Sequence, residues 1–261
     1  MTSDSQTPHI ARAFVEARRA ATPLPDFPGA IPATLDAAYA IQNVAIELAG
    51  QRVVGWKVGR INPPVEGVDR LAGPIFAQQV FAAAATPPAM PIYAGGFGAA
   101  EAEFLLRIGT APAEGQKDFT PDEAHALIDA VHIGIEIASS PFPGINDLGP
   151  TVTIADFGNN NGLVIGAAID GWRTVDFNHW PVALHVNGEV RGEGIAADML
   201  DGPIGAARFL FRHAAARGIK LSPGDWISTG AVTGVHPVTV GDRIEARFDD
   251  RLSVSCTIEA Q

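Results

Sequence analysis

A single cysteine, Cys256, stands in a chain of 261 residues. No intrachain disulfide can form, and a reducing compartment, the cytoplasm, is the expected setting. Lysine is almost as scarce, with three residues (Lys57, Lys117 and Lys220) against 15 arginines. There is no basic run, and the formal net charge is −11. Such a surface is expected to repel nucleic acid and anionic membranes. No apolar stretch reaches the roughly 20 residues needed to span a bilayer. The opening, MTSDSQTPHIARAFVEARRA, has no continuous apolar core, so no signal peptide is expected. Internal repeats, low-complexity tracts, a Gly-x-Ser-x-Gly elbow and a phosphate-cradling glycine loop are also missing.

What the chain does have is turn chemistry: 28 glycines and 20 prolines, which favour many short strands. A hydrophobic fraction of 47% is enough for a substantial core. Residues 1–50 read as a helical N-terminal segment. Ile10, Phe14 and Val15 line one helix, and TLDAAYAIQNVAIELAG repeats apolar residues near a 3.6 period before Gly50. Residues 51–261 read as a strand-rich catalytic domain. RVVGWKVG, AEAEFLLRIG, VHIGIEIAS and GLVIGAAI are strand-like, and TPDEAHALIDAV reads as a helix capped by Thr120 with Glu123 in a capping box. Asn187-Gly188 suits a hairpin turn, and a second hairpin is expected at Asp249-Asp250. GPIGAARFLFRHAAARG is a late helix with Pro203 at its start and Gly218 at its end.

Two strands carry unexpected acids. In AEAEFLLRIG, Glu101 and Glu103 fall on one face with Leu105 and Arg107, opposite Ala102, Phe104, Leu106 and Ile108. That pattern suits a solvated outer face. In VHIGIEIAS, however, Glu136 lies opposite an unbroken row of Val131, Ile133, Ile135 and Ile137, and its own face holds Gly134 and Ala138. Small neighbours leave room above the sheet. Three carboxylates on two strands suit a hard divalent cation with oxygen ligands.

Lys57 lies among Val, Gly and Trp rather than in a polar turn. It reads as a proton donor or acceptor, a fixed cation for a substrate carboxylate, or a snorkelling strand-edge lysine. His132 shares the face of Glu136, where a hydrogen-bonded structural role is expected. His185 and His236 have no spacing partner for zinc, and Cys256 alternates into the core of the final strand.

In order, TLDAAYAIQ, GWKVG, AEAEF, IEI and NGEVRGEG…DGPIGAARFL…GIKLSPGDWISTGAVTG resemble the 2-keto-4-pentenoate hydratases and the related 2-oxo-3-hexenedioate (4-oxalocrotonate) decarboxylases. Both belong to the fumarylacetoacetate hydrolase superfamily, and the resemblance runs from about Thr34 to the C-terminus. It implies an α+β fold: a mixed β-sandwich or roll of the superfamily's C-terminal-domain type, preceded by a helical segment. It implies Mg²⁺ or Mn²⁺ held by Glu101, Glu103 and Glu136, with Lys57 at the family's catalytic lysine. Thr229 and Gly230 fall where the substrate's carboxylate end lies. The activity implied is hydration of a 2-hydroxy-2,4-dienoate to a 4-hydroxy-2-oxo acid. Decarboxylation of a 2-oxohexenedioate, acylpyruvate-type C–C hydrolysis and a non-catalytic member of the fold are the alternatives. Homo-oligomers, and complexes between hydratase and decarboxylase, are also implied.

The chain departs from the family pattern where substrate would lie. Gly59 leads into Arg60-Ile61-Asn62 instead of Leu-Thr-Ser; Arg60 reads equally as a partner for a distal or proximal substrate carboxylate and as a surface arginine. The segment near Pro74 reads DRLAGPIF, without the acidic residue often found there. The family's Ala-Asp-Asn-Ala-Ser stretch becomes ADFGNNNG. It keeps Asp156, a weaker catalytic candidate, since an aspartate at a strand end more often caps a turn.

Overall fold

The computed structural model describes residues 6–261. Helices α1 (Thr7–Ala20) and α2 (Leu35–Ala49) come first, followed by strands β1 (Val53–Val65), β2 (Val68–Phe76), β3 (Val80–Ala82), β4 (Ala89–Ile92) and β5 (Phe97–Ile108). Then come the short helix α3 (Pro121–Ala126), β6 (Ile128–Ser140), the short helix α4 (Pro150–Ala155) and β7 (Asn160–Ala168). A hairpin of β8 (Val182–Val186) and β9 (Glu189–Gly194) leads to α5 (Gly202–Arg217). The chain ends with β10 (Trp226–Ser228), β11 (His236–Pro237) and a hairpin of β12 (Arg243–Phe248) and β13 (Leu252–Ala260). None of the described helices is long and apolar enough to cross a membrane.

The strands form two sheets. The larger runs β2-β1-β10-β5-β6-β7-β3, with β11 added to β5, and the smaller runs β4-β13-β12-β8-β9. The main core lies between them. Phe104, Ile133, Ile135 and Ile137 of the large sheet meet Ile244, Ala246, Phe248 and Val254 of the small one. Phe104 and Phe248 pack edge to face with centroids 5.2 Å apart. Burying a side chain of that size contributes about 2–3 kcal/mol.

The large sheet also curls. Ile75 on β2, Leu105 on β5 and Leu163 on β7 touch in one buried cluster, although these strands are not neighbours. The face of β5 that carries Glu101 and Glu103 is therefore the inside of a roll. This architecture is the expected α+β sandwich-roll. The helical N-terminal segment packs against it, with Ile10, Phe14 and Ile41 sharing a core with Phe76, Phe142, Val152 and Phe157.

Local signals mostly held. Thr120 and Glu123 form the capping box, and Gly50 and Gly218 end their helices in left-handed conformation. Asn187-Gly188 and Asp249-Asp250 turn with positive φ, as tight hairpins require. The third helix is shorter than its sequence suggests. Ile128–Ala130 join β6 because Ile108 and Arg107 of β5 pair with Ile128 and Ala130. The Arg107 guanidinium also clasps Asp129, at 2.8 and 3.0 Å. Cross-strand pairing overrides local helix preference there.

Candidate active site

The two-residue period of β5 turns Glu101, Glu103 and Leu105 into the roll, and register sets Glu101 directly opposite Glu136 on β6. One carboxylate oxygen from each of the three glutamates lies within 4.8 Å of the others, and all three side chains are buried. Like charges placed this way repel. Gly134, opposite Glu103, does not leave the open space its small size suggests: a Cβ there would lie 2.3 Å from Leu105 Cδ1. Its missing side chain lets Leu105 pack beneath the acids.

Lys57 reaches the cluster from β1, with Nζ 3.5 Å from Glu136 Oε1 and 3.2 Å from Asn159 Oδ1. It is buried, as is every glutamate it faces. An ammonium carries three hydrogens. The two contacts leave the ammonium with donor capacity to spare, and Lys57 lines the adjoining cavity.

The carboxylates are individually held. Ser228 Oγ and the Gly230 N–H both donate to Glu103 Oε2, the latter over 3.0 Å. Asn160 Nδ2 donates to Glu136 Oε1 over 2.8 Å. Glu103 Oε1 and Glu136 Oε2 are buried with no partner among the described residues. Orphaned buried carboxylate oxygens are costly. One ammonium against three carboxylates also leaves two formal negative charges among buried side chains. The missing complement is an oxygen-seeking dication, and the donor set fits one.

The protonation pattern agrees. Burial pushes the Glu101 carboxyl up to about 7, with Lys57 pulling it down and Glu136 pushing further up. Burial, then Glu136 and Glu101, hold Glu103 well above the usual carboxylate range. Burial works against the Lys57 charge, but Glu136, Glu101 and Glu103 outweigh it and raise its pKa. Lys57 is therefore a held cation in this arrangement.

A cavity of about 860 Å³ opens on the cluster, lined among others by Lys57, Arg60, Glu101, Asn159, Thr229 and Gly230. Arg60 is exposed, sits directly opposite Arg70 in the β1–β2 ladder and has no ion pair among the described residues. Arg70 is compensated by Asp69 and Asp201. Thr229 and Gly230 lie at the site, but their donors are committed inward: Thr229 Oγ1 donates to the Phe104 carbonyl over 2.8 Å, and the Gly230 N–H to Glu103. Gly230 has φ 106°, and a Cβ there would press on Met199 and the Val58 carbonyl.

Asp156 does not join this cluster and does not line the cavity. It is fully buried in an ion pair with Arg18, whose Nε and Nη2 donate to its two oxygens over 2.6 and 3.0 Å. Ser140 Oγ adds a third bond at 2.6 Å. With both oxygens engaged and its side chain off the cavity, Asp156 is not brought to the candidate site, which corrects the catalytic expectation for it. His132 Nδ1 bonds the Gly166 carbonyl at 2.9 Å, a structural role. Burial pushes the Cys256 thiol up to about 12, as suits an inert core cysteine.

Asn159, Asn160, Ser228 and Arg18 escaped the sequence reading. The Asn159-Asn160-Asn161 run was a usable signal, since three consecutive carboxamides in a buried strand entry need partners.

Comparison with known proteins agrees with this picture. Residues 72–259 match the model of the fumarylacetoacetate (FAA) hydrolase C-terminal family. A 2-keto-4-pentenoate hydratase of Burkholderia vietnamiensis strain G4 is 29% identical over 98% of this chain and 99% of its own. A 4-oxalocrotonate decarboxylase of Pseudomonas putida G7, solved with calcium and acetate and with magnesium and adipate, shares the fold. Its TM-score is 0.80, at 22% identity, over 99% of both chains. Fumarylpyruvate hydrolase of Pseudomonas aeruginosa, solved with Mn²⁺ and pyruvate, aligns at a TM-score of 0.60 and 19% identity over 81% of this chain and 91% of its own. With its roll, its buried acidic trio and a family match spanning most of its length, the chain belongs to the fumarylacetoacetate hydrolase C-terminal family.

Proposed function

We propose that the chain is a divalent-metal-dependent hydratase. It adds water to a 2-hydroxy-2,4-dienoate of the 2-keto-4-pentenoate type and yields a 4-hydroxy-2-oxo acid. The observation that carries this reading is the buried trio Glu101, Glu103 and Glu136, with two oxygens lacking partners, at the end of a large cavity. Relatives named 2-keto-4-pentenoate hydratase that align over nearly the whole chain support the choice of reaction.

Glu101, Glu103 and Glu136 would hold Mg²⁺ or Mn²⁺. Bound there, the ion supplies Lewis-acid charge beside the substrate's 2-oxygen and a template for its carboxylate. The chain's residues do the rest. Lys57 Nζ, fixed by Glu136 and Asn159, presents its spare donor capacity to the anionic end of the substrate. In the overall reaction, water oxygen joins C4, and protons are taken up at C5 and C3 as the 2-hydroxydiene becomes a 2-oxo acid. Arg60, at the exposed side of the cavity, is the cation available to a distal or proximal carboxylate.

The second reading is 2-oxohexenedioate decarboxylation, favoured by the fold likeness to the Pseudomonas putida G7 enzyme. It needs the same 2-oxo acid bound in the same way. Purified protein supplied with Mg²⁺ or Mn²⁺ separates the two. Loss of dienoate absorbance with formation of the 4-hydroxy-2-oxo acid supports hydration. CO₂ release from the hexenedioate without hydration selects decarboxylation. Full activity after chelation would exclude both. A cytoplasmic homo-oligomer serving the breakdown of aromatic or related compounds, alone or with a related decarboxylase, completes the proposal, and size-exclusion chromatography with light scattering tests its assembly.

A further inference from the structure

Between α4 and β7 the backbone does something L-residues avoid. Phe157, Gly158 and Asn159 are consecutive and all left-handed, with φ of 57°, 62° and 57°. Two of the three carry side chains, so the turn is strained and persists only if its surroundings impose it. The same turn carries the contacts that set the site. Asn159 Oδ1 accepts from Lys57 Nζ over 3.2 Å, and Asn160 Nδ2 donates to Glu136 Oε1 over 2.8 Å.

What imposes the turn comes from the N-terminal helix. Arg18 reaches Asp156 on the near side, bonding both carboxylate oxygens and, over 3.4 Å, the carbonyl. With Nη1 it reaches past the turn to the Asn160 carbonyl at 3.3 Å and Asn161 Oδ1 at 3.1 Å. Nη2 also bonds the Ser139 carbonyl on β6 at 3.0 Å. The guanidinium lies over the Phe157 ring, 5.1 Å from its centroid. One planar fork thus grips both ends of the left-handed turn and the strand bearing Glu136. From the opposite side, β2 comes so close at Gly73 that a Cβ there would lie 2.1 Å from the Phe157 carbonyl. Arg18 itself touches none of the three glutamates, Lys57 or the main cavity's lining.

We infer that Arg18 is a positioning residue for this site. By clamping the Asp156–Asn161 turn it fixes Asn159 against Lys57 and Asn160 against Glu136, and so sets metal affinity and turnover from helix α1. The helix lies outside the segment matched by the family model. The inference rests on the metal-dependent reading above.

The test compares Arg18→Lys, which keeps a cation for Asp156 but lacks the fork, with Arg18→Met and with Phe14→Leu. The last is a conservative core change on the same helix: Phe14 shares a cluster with Phe157, but the change loosens that packing without removing any hydrogen bond to the turn. Mn²⁺ affinity by titration calorimetry, kcat and KM on the dienoate, and thermal midpoints are read for each. Arg18→Lys is expected to weaken Mn²⁺ binding and lower kcat by about ten-fold or more, the range seen when groups that orient metal ligands are removed. Phe14→Leu is expected to lower the midpoint but leave both within about two-fold. Combining Arg18→Lys with Asn159→Ala should cost no more kcat than the worse single change, because both remove one support. If Arg18→Met does not fold, Arg18→Lys decides. Arg18→Lys behaving like Phe14→Leu, or an additive double variant, overturns the inference. A wild-type chain that takes up no Mn²⁺ overturns the proposed function instead.

Discussion

Two buried charge clusters lie at the two sides of one turn, and they are built to opposite rules. Arg18 and Asp156 form a closed account of charge and hydrogen bonds: both carboxylate oxygens and all three guanidinium nitrogens have partners. Glu101, Glu103, Glu136 and Lys57 do not close. Three carboxylates face one ammonium, and Glu103 Oε1 and Glu136 Oε2 have no partner among the described residues. Burial is equally complete in both. What separates the two clusters is therefore the balance of charge and donors, because an unbalanced buried charge is costly unless a ligand completes it or protonation neutralises it.

The sharpest way to break the contrast is Glu103→Ala. It should abolish divalent-metal uptake and dienoate hydration together, read by metal content after dialysis and by absorbance. Retention of both would show that the open cluster is not a ligand set. Next is Asp156→Asn, which leaves the Arg18 charge buried and half-paired and should cost about 3–5 kcal/mol in denaturant unfolding. A loss much smaller than that would mean the closed cluster is not the structural one.

A third prediction concerns pH. The Glu101 carboxyl is raised from its ordinary 4.5 to about 7 in the fold, by burial first. A raised group adds stability that is fully present below the unfolded value and lost as pH rises through the folded one. Metal-free protein should thus lose that contribution between pH 4.5 and 7. Glu101→Gln should flatten this limb in thermal scans, and bound metal should flatten it too.

The smallest effect sharpens the comparison from outside. His213 on α5 is half-buried against Tyr39, and its Nε2 is a buried atom with no partner among the described residues. Burial first, then Arg217, lowers its pKa to about 4, with Asp36 opposing. A depressed histidine costs stability as pH falls from 6.5 toward 4, the reverse of Glu101. His213→Leu should raise the midpoint at pH 5 by about 2 °C and leave it unchanged at pH 8. An orphaned atom without excess charge or a ligand cavity is a packing cost and nothing more.

Much of the fold was readable where the signal was short-range. Capping at Thr120, the Asn187-Gly188 turn and the alternation in both acidic strands depend on residues a few positions apart, and all appear in the structure. The extension of β6 back to Ile128 was not readable, since it depends on pairing with Arg107 and Ile108 of β5. Nor was the true neighbour of Gly134, which is Leu105.

The sequence by itself determined that Glu101 and Glu103 share one face and that Glu136 opposes an apolar row, because side-chain direction along a strand repeats every two residues. Only the tertiary structure decided that the acids face the inside of a roll, and that Lys57 arrives beside Glu136 from another strand. It also decided that Asp156 belongs to Arg18, 138 residues away. Those outcomes depend on register, sheet curvature and helix docking, which no local spacing encodes. Burial is common to the balanced ion pair and to the unbalanced trio; the balance of charge and donors is what differs.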